Sequence, residues 1–191
     1  MAENPVAGGL LVIGGSAGAL DALLRILPAL RTDLPVPVII ILHRRQDADS
    51  TLSQVLNHYA ALPVREAGDK DPLEAGIIYL APAGYHLLVE KTGSLSLDSS
   101  EKIHYSRPAI DATFESAADA AGAGVTGILL SGANEDGTAG MKAIRRYGGT
   151  TIAQDPSEAG ISYMPAHAIG TAQADLVLKS GEMAGYINAL F

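Results

Sequence analysis

The sequence predicts an α/β domain: a doubly wound, mostly parallel sheet flanked by helices on both faces, with an antiparallel hairpin at one edge. Three observations carry that expectation. The runs Leu10–Ile13, Val36–Leu42 and Val125–Leu130 are short and almost purely aliphatic, the pattern of strands buried on both faces rather than on one. Each is followed by a glycine-, serine- or charge-rich turn and then by apolar residues at helical spacing, as in Asp21–Leu30 and Thr138–Tyr147. Finally, 191 residues with 48% hydrophobic content suffice for one domain with a substantial core.

Taken in order, Leu10–Ile13 reads as the first strand and Asp21–Leu30 as the helix after it, with Gly14-Gly15-Ser16-Ala17-Gly18 between them. Val36–Leu42 forms the second strand and ends at His43. Asp49 or Ser50 is placed to cap a helix over about 51–60, and Ala61–Val64 leads into a short strand. Ile77–Leu80, Tyr85–Glu90 and Leu95–Asp98 have strand character, and the breaks Pro82-Ala83-Gly84 and Thr92-Gly93-Ser94 suggest an antiparallel hairpin attached to the sheet. Arg107–Asp111 precedes a helix reaching about Ala121, with Ile110, Phe114 and Ala117 on one face. Gly122 and Gly124 end it, Val125–Leu130 is a further buried strand, and Thr138–Tyr147 a helix closed by Gly148-Gly149. Thr150–Gln154, Met164–Ala172, Asp175–Leu178 and Gly181–Leu190 complete the chain as strand, helix, strand and helix. The whole of residues 1–191 is expected to form one domain, with 1–8 a flexible N-terminal tail.

Composition narrows the chemistry. The chain has no cysteine, which rules out disulfides, a thiol nucleophile and thiolate metal sites. Its five histidines show no metal-ligand spacing. Thirteen basic against twenty-one acidic residues give a net charge of −8, which argues against nucleic acid as the main partner. The N-terminus lacks a basic signal-peptide region and no apolar run approaches the length of a membrane span. A cytoplasmic protein without membrane insertion is expected.

The candidate chemistry sits where predicted strands end. Gly14-x-Ser16-x-Gly18 matches the spacing of a nucleophile elbow, in which a serine stands on a tight turn before a helix. The same glycines also suit close packing or an anion at the helix N-terminus, although neither the dinucleotide nor the phosphate-loop fingerprint fits. His43 closes one strand and Asp136 follows another; in an open parallel sheet both would face the same crevice as Ser16. Taken singly, His43 simply finishes a strand and Asp136 caps a helix. Together with Ser16 they make a serine–histidine–aspartate set: a nucleophile, its general base, and a carboxylate that orients the imidazole.

The motifs Val12–Gly18, Ile41-Leu42-His43, Ile78–Pro82, Ser106–Asp111, Gly127–Gly140 with Asp136-Gly137, Thr151–Asp155 and Tyr163-Met164-Pro165 resemble, in order and over nearly the whole chain, the catalytic domain of CheB-type chemotaxis protein-glutamate methylesterases. The resemblance implies hydrolysis of glutamate methyl esters on a methylated chemoreceptor with acidic methylation helices. Deamidation of receptor glutamine is implied as a second activity. It places the triad on Ser16, His43 and Asp136, needs no metal or other cofactor, and implies regulation by a receiver domain, in cis or in trans, that this chain does not contain. The surroundings depart from the family pattern: Ala17 stands for Thr, Arg44-Arg45 for Met-Pro, and Ser131-Gly132-Ala133-Asn134 for Thr-Gly-Met-Gly. Ala17, Ala133, Arg44, Arg107 and Met164 are accordingly the candidates for oxyanion or substrate contact. Arg44 and Arg45 are expected to draw an acidic receptor segment to an otherwise anionic protein; Arg107 either contacts a substrate carboxylate or braces its loop. The alternative is a noncatalytic signalling or scaffold module that kept the fold.

Overall fold

The computed structural model describes residues 8–45 and 51–191; residues 1–8 of the expected tail, apart from Gly8, and the expected caps Asp49 and Ser50 lie outside the described residues. Seven strands form one parallel sheet: β1 (Leu10–Gly15), β2 (Val38–Leu42), β3 (Val64–Glu66), β4 (Ile78–Leu80), β7 (Val125–Leu129), β8 (Thr150–Gln154) and β9 (Leu176–Leu178), in the order β3-β4-β2-β1-β7-β8-β9. The chain first fills one side of β1, adding β2, then β3 at the edge and β4 between them, and then crosses to the other side with β7, β8 and β9. The reversal falls between β1 and β7, and a crevice opens at such a point beyond the strands' carboxyl ends.

Alternation along the central strands explains the two layers. Leu10 and Val12 face a core shared with Phe114, Met141, Ile144, Met164 and Ala168, under helices α3 (Ile110–Ala121), α4 (Thr138–Arg146) and α5 (Tyr163–Ala172). Leu11 and Ile13 face the opposite core with Leu23, Ile26, Leu56, Met183 and Ile187, under α1 (Ala19–Ile26), α2 (Thr51–Tyr59) and α6 (Ser180–Leu190). Every residue of β1, β2 and β7 is buried, which is why their sequences read as unbroken aliphatic runs.

The hairpin differs in detail from the expectation. β5 (His86–Val89) and β6 (Leu95–Asp98) pair antiparallel, turning at Gly93, as a two-stranded sheet of their own. Leu87, Val89 and Leu95 join the core beneath α3, so the hairpin packs by side chains and not by extending the main sheet. Ile78–Leu80 belongs instead to the interior of the parallel sheet, between β2 and β3.

Candidate active site

Strand register brings the serine and histidine together. β1 and β2 are aligned with Gly15 opposite Leu42, and the His43 amide donates to the Gly15 carbonyl at 3.3 Å. One step further along each strand sets Ser16 beside His43, at the roughly 4.8 Å spacing of neighbouring strands. On the other side, the Ser16 amide donates to the Ser131 carbonyl at 2.8 Å. Ser16 is half-buried, and its hydroxyl makes no hydrogen bond among the described residues.

The turn that presents it is relaxed at the serine. Positive φ falls on Gly18, at 82°, and not on Ser16. A Cβ at Gly18 would stand 2.6 Å from Ser131 Oγ, so glycine is required there by both dihedral and space. That same Ser131 hydroxyl donates to the Ala17 carbonyl at 2.7 Å and accepts from the Ile161 amide at 2.8 Å, tying the Ser16 turn to the 160–161 loop. The spacing of an elbow is therefore present, with its sharp bend moved two residues beyond the hydroxyl.

Asp136 is completely buried and fully engaged. Its Oδ2 accepts from His43 Nε2 at 2.7 Å and from the Ile110 amide at 2.7 Å; its Oδ1 accepts from the amides of Asp111 and Gly137, both at 2.9 Å. Ile110 and Asp111 open α3, so the carboxylate rests on the positive end of that helix and caps it from across the molecule. Its expected alternative role, as a cap of its own helix, is absent: α4 begins after Gly137 with no side-chain cap. Burial pushes the carboxyl up, but the His43 hydrogen bond and the Asp111 and Ile110 amides outweigh it and hold Asp136 below its ordinary value. With an anionic acceptor at Nε2, the neutral ring carries its proton there. Nδ1 is then the atom with a free lone pair.

Sequence reasoning missed the group behind this pair. Asp111 is buried; it accepts from the Gly140 amide at 2.7 Å and lies 3.2 Å from His104 Nε2. Burial raises its carboxyl to about 6, and the Asp136 charge acts in the same direction, against the Gly140 hydrogen bond. His104, Asp111 and Asp136 each place a ligand atom within 4.8 Å of the others. Both Asp136 oxygens already accept two hydrogen bonds, so the cluster works as a hydrogen-bond junction. The Ser106–Asp111 motif was the signal that pointed here, but only folding reveals what Asp111 touches.

The remaining candidates divide. Ala17 and Ala133 are exposed at the rim, and no described residue accepts from either amide, so both are suited to receive an oxyanion. A cavity of about 270 Å³ opens beside Ala133, between Tyr105 and Tyr163. Arg44 does not reach outward as expected: its side chain is 5% exposed and pairs with Glu66 at 2.8 Å. Arg107 braces its loop, donating through one terminal nitrogen to the Ser99 and Ser100 carbonyls at 2.6 and 2.5 Å. Met164 is wholly buried, with its side chain laid against the bare Cα of Gly132. It supports the loop that carries Ala133 and offers nothing to a ligand directly.

A parallel sheet that sets a serine, a histidine and a buried carboxylate on one rim has the architecture of an α/β serine hydrolase. Comparison with known proteins narrows this to one family: the model of the CheB methylesterase family matches residues 11–187, and the chain belongs to that family. It superposes with a TM-score of 0.93 on the crystal structure of the Thermotoga maritima CheB methylesterase catalytic domain, at 32% identity over 97% of this chain and 100% of that one. A Leptospira interrogans relative, provisionally named a protein-glutamate methylesterase/protein-glutamine glutaminase, is 37% identical over 91% of this chain and 90% of its own length. A Symbiobacterium thermophilum protein with that name is 38% identical over 94% of this chain, which spans 49% of the relative's length.

Proposed function

We propose that this chain is a serine-dependent protein-glutamate methylesterase, hydrolysing glutamate methyl esters on chemoreceptors, with Ser16, His43 and Asp136 as its triad. The observation that carries the reading is the 2.7 Å contact between His43 Nε2 and Asp136 Oδ2, made at the strand end next to Ser16. It leaves His43 Nδ1 as the base for the Ser16 hydroxyl.

Ser16 Oγ attacks the ester carbonyl while His43 Nδ1 takes its proton, and Asp136 stabilises the imidazolium that forms. The Ala17 and Ala133 amides receive the oxyanion of the tetrahedral intermediate. On collapse the C–O bond to methoxide breaks and His43 returns the proton, releasing methanol. Water, deprotonated by the same nitrogen, then attacks the acyl-enzyme; glutamate leaves and Ser16 regains its proton. A glutamine side chain enters the same route with ammonia as leaving group. Regulation by a receiver domain, in cis or in trans, and a cytoplasmic location follow from the family resemblance; no helix among the described residues is long and apolar enough to cross a membrane.

The test pairs labelling with turnover. A serine-directed fluorophosphonate should label the native chain and not Ser16→Ala, and methyl-labelled receptor should release methanol about 10⁴-fold or more faster with the native protein than with the variant. A noncatalytic module would show no difference between the two proteins in either assay, and that result would remove the esterase reading.

A further inference from the structure

We propose that a cationic cavity beside the Ser16–His43 rim is a subsite for an acidic side chain of the substrate polypeptide, a few residues from the ester; this rests on the methylesterase reading above. The cavity, about 420 Å³, is lined by Arg44, Arg45, Lys102, Tyr105, Ser106 and Arg107. Among the described residues, Arg44 forms an ion pair with Glu66, whereas Arg45 and Lys102 have no carboxylate partner. Arg107 contacts only carbonyls through its terminal nitrogen, and its Nε is buried without a partner. Arg45 and Lys102, without a carboxylate partner among the described residues, thus converge with Arg107, which also acts on the Asp98 carboxylate, on one cavity of a chain whose net charge is −8. Such a concentration of one sign favours an anionic group and rejects a cationic one.

The cavity is continuous with the catalytic rim through the chain itself. Arg44 and Arg45 directly follow His43, and the segment holding Ser106 and Arg107 runs straight into the α3 amides that cradle Asp136. The wall between them is a rigid two-residue turn. Ile103 and Ser106 exchange backbone hydrogen bonds at 3.1 and 2.8 Å, and both intervening residues have positive φ, His104 at 48° and Tyr105 at 62°. Non-glycine residues adopt that pairing only when held, and His104 is held by Asp111. The result is Tyr105 standing 98% exposed, as a wall shared by the cationic cavity and the cavity beside Ala133. A polypeptide with its ester at Ala133 passes Tyr105 and delivers a neighbouring side chain to Arg45, Lys102 and Arg107.

The test uses two peptides carrying a glutamate γ-methyl ester, one flanked by glutamates and one by alanines, with methanol release as the readout. Arg45→Gln/Lys102→Gln should lower kcat/KM for the acidic peptide roughly three- to tenfold and leave the alanine peptide unchanged. A control with the same loss of charge, Lys70→Gln/Lys91→Gln, should leave both unchanged. Equal slowing of both peptides, slowing of neither, or an equal effect of the control on the acidic peptide would overturn the subsite. Binding of the acidic peptide to Ser16→Ala, measured by titration calorimetry with and without the two cavity substitutions, separates the claims. If the native protein releases no methanol the esterase reading fails, while loss of binding on removing Arg45 and Lys102 would still establish the anionic subsite and its persistence would abolish it.

Discussion

The two halves of the catalytic rim are built on opposite plans. Around Asp136, four donors converge on two buried carboxylate oxygens, and the carboxylate in turn fixes the start of α3 and the His43 ring. Around Ser16, the hydroxyl and the Ala17 and Ala133 amides have no partner among the described residues. The first half is completed by folding and the second only by substrate. On the proposed mechanism, the groups that would bind developing charge are thereby left available, while the group that would hold one tautomer and one orientation is given no freedom.

Substitutions should therefore separate stability from activity differently on the two sides. Asp136→Asn keeps the shape but presents an NH₂ to donors that need an acceptor. It should cost about 2–4 kcal/mol in urea unfolding, because buried amides at the α3 N-terminus lose their partner, and lower methanol release by about 10⁴-fold. Ser16→Ala should match that loss of activity with a stability change within about 0.5 kcal/mol. If Asp136→Asn unfolded at the native urea midpoint, the claim that folding completes this half would be wrong.

A smaller effect probes the turn beneath the nucleophile. Gly18→Ala adds a Cβ at φ 82°, 2.6 Å from Ser131 Oγ, and Ser131 is the hydroxyl that anchors the Ala17 carbonyl. About 1–3 kcal/mol of destabilisation is expected, with phosphonate labelling of Ser16 slowed about tenfold. Labelling at the native rate in a destabilised variant would show that the bend at Gly18 serves folding and not presentation of the hydroxyl.

What could be read in advance follows from where the information resides. Strands β1, β2 and β7 are covered on both faces, so their aliphatic runs mark each strand and where its carboxyl end falls; that singles out Ser16 and His43 directly after β1 and β2 and Asp136 in the turn beyond β7. Ile78–Leu80 reads as part of the hairpin region because three short strand-like runs follow one another, whereas its partner β2 lies some forty residues back in the chain. Short runs of three or four residues carry too little periodicity to reveal pairing at that range. Arg44 read as an outward cation because its partner Glu66 is 22 residues away, on β3. Asp111 was visible as part of a motif, yet its role depends on burial against Asp136 and on a strained turn that brings His104 to it.

Asp111 also supplies the finest test of the contrast, because its ionisation opposes that of the residue it supports. Its carboxyl is raised from an ordinary 3.8 to about 6 by burial first and by the Asp136 charge, so the folded chain holds this proton more tightly than the unfolded chain does. Its contribution favours the fold fully below about pH 4 and is lost as pH rises through 6. Asp136, held below its ordinary value, acts in the reverse sense: its contribution is present above the usual carboxylate range and is lost in acid. Asp111→Asn removes the first dependence and leaves the second. Urea midpoints taken from pH 4 to pH 7 should show the variant gaining on the native protein by on the order of 1–2 kcal/mol, most of it between pH 4 and 6. A gap that stays constant over that window would mean that Asp111 does not change its charge there, and the buried junction behind the triad would then hold two anions side by side throughout.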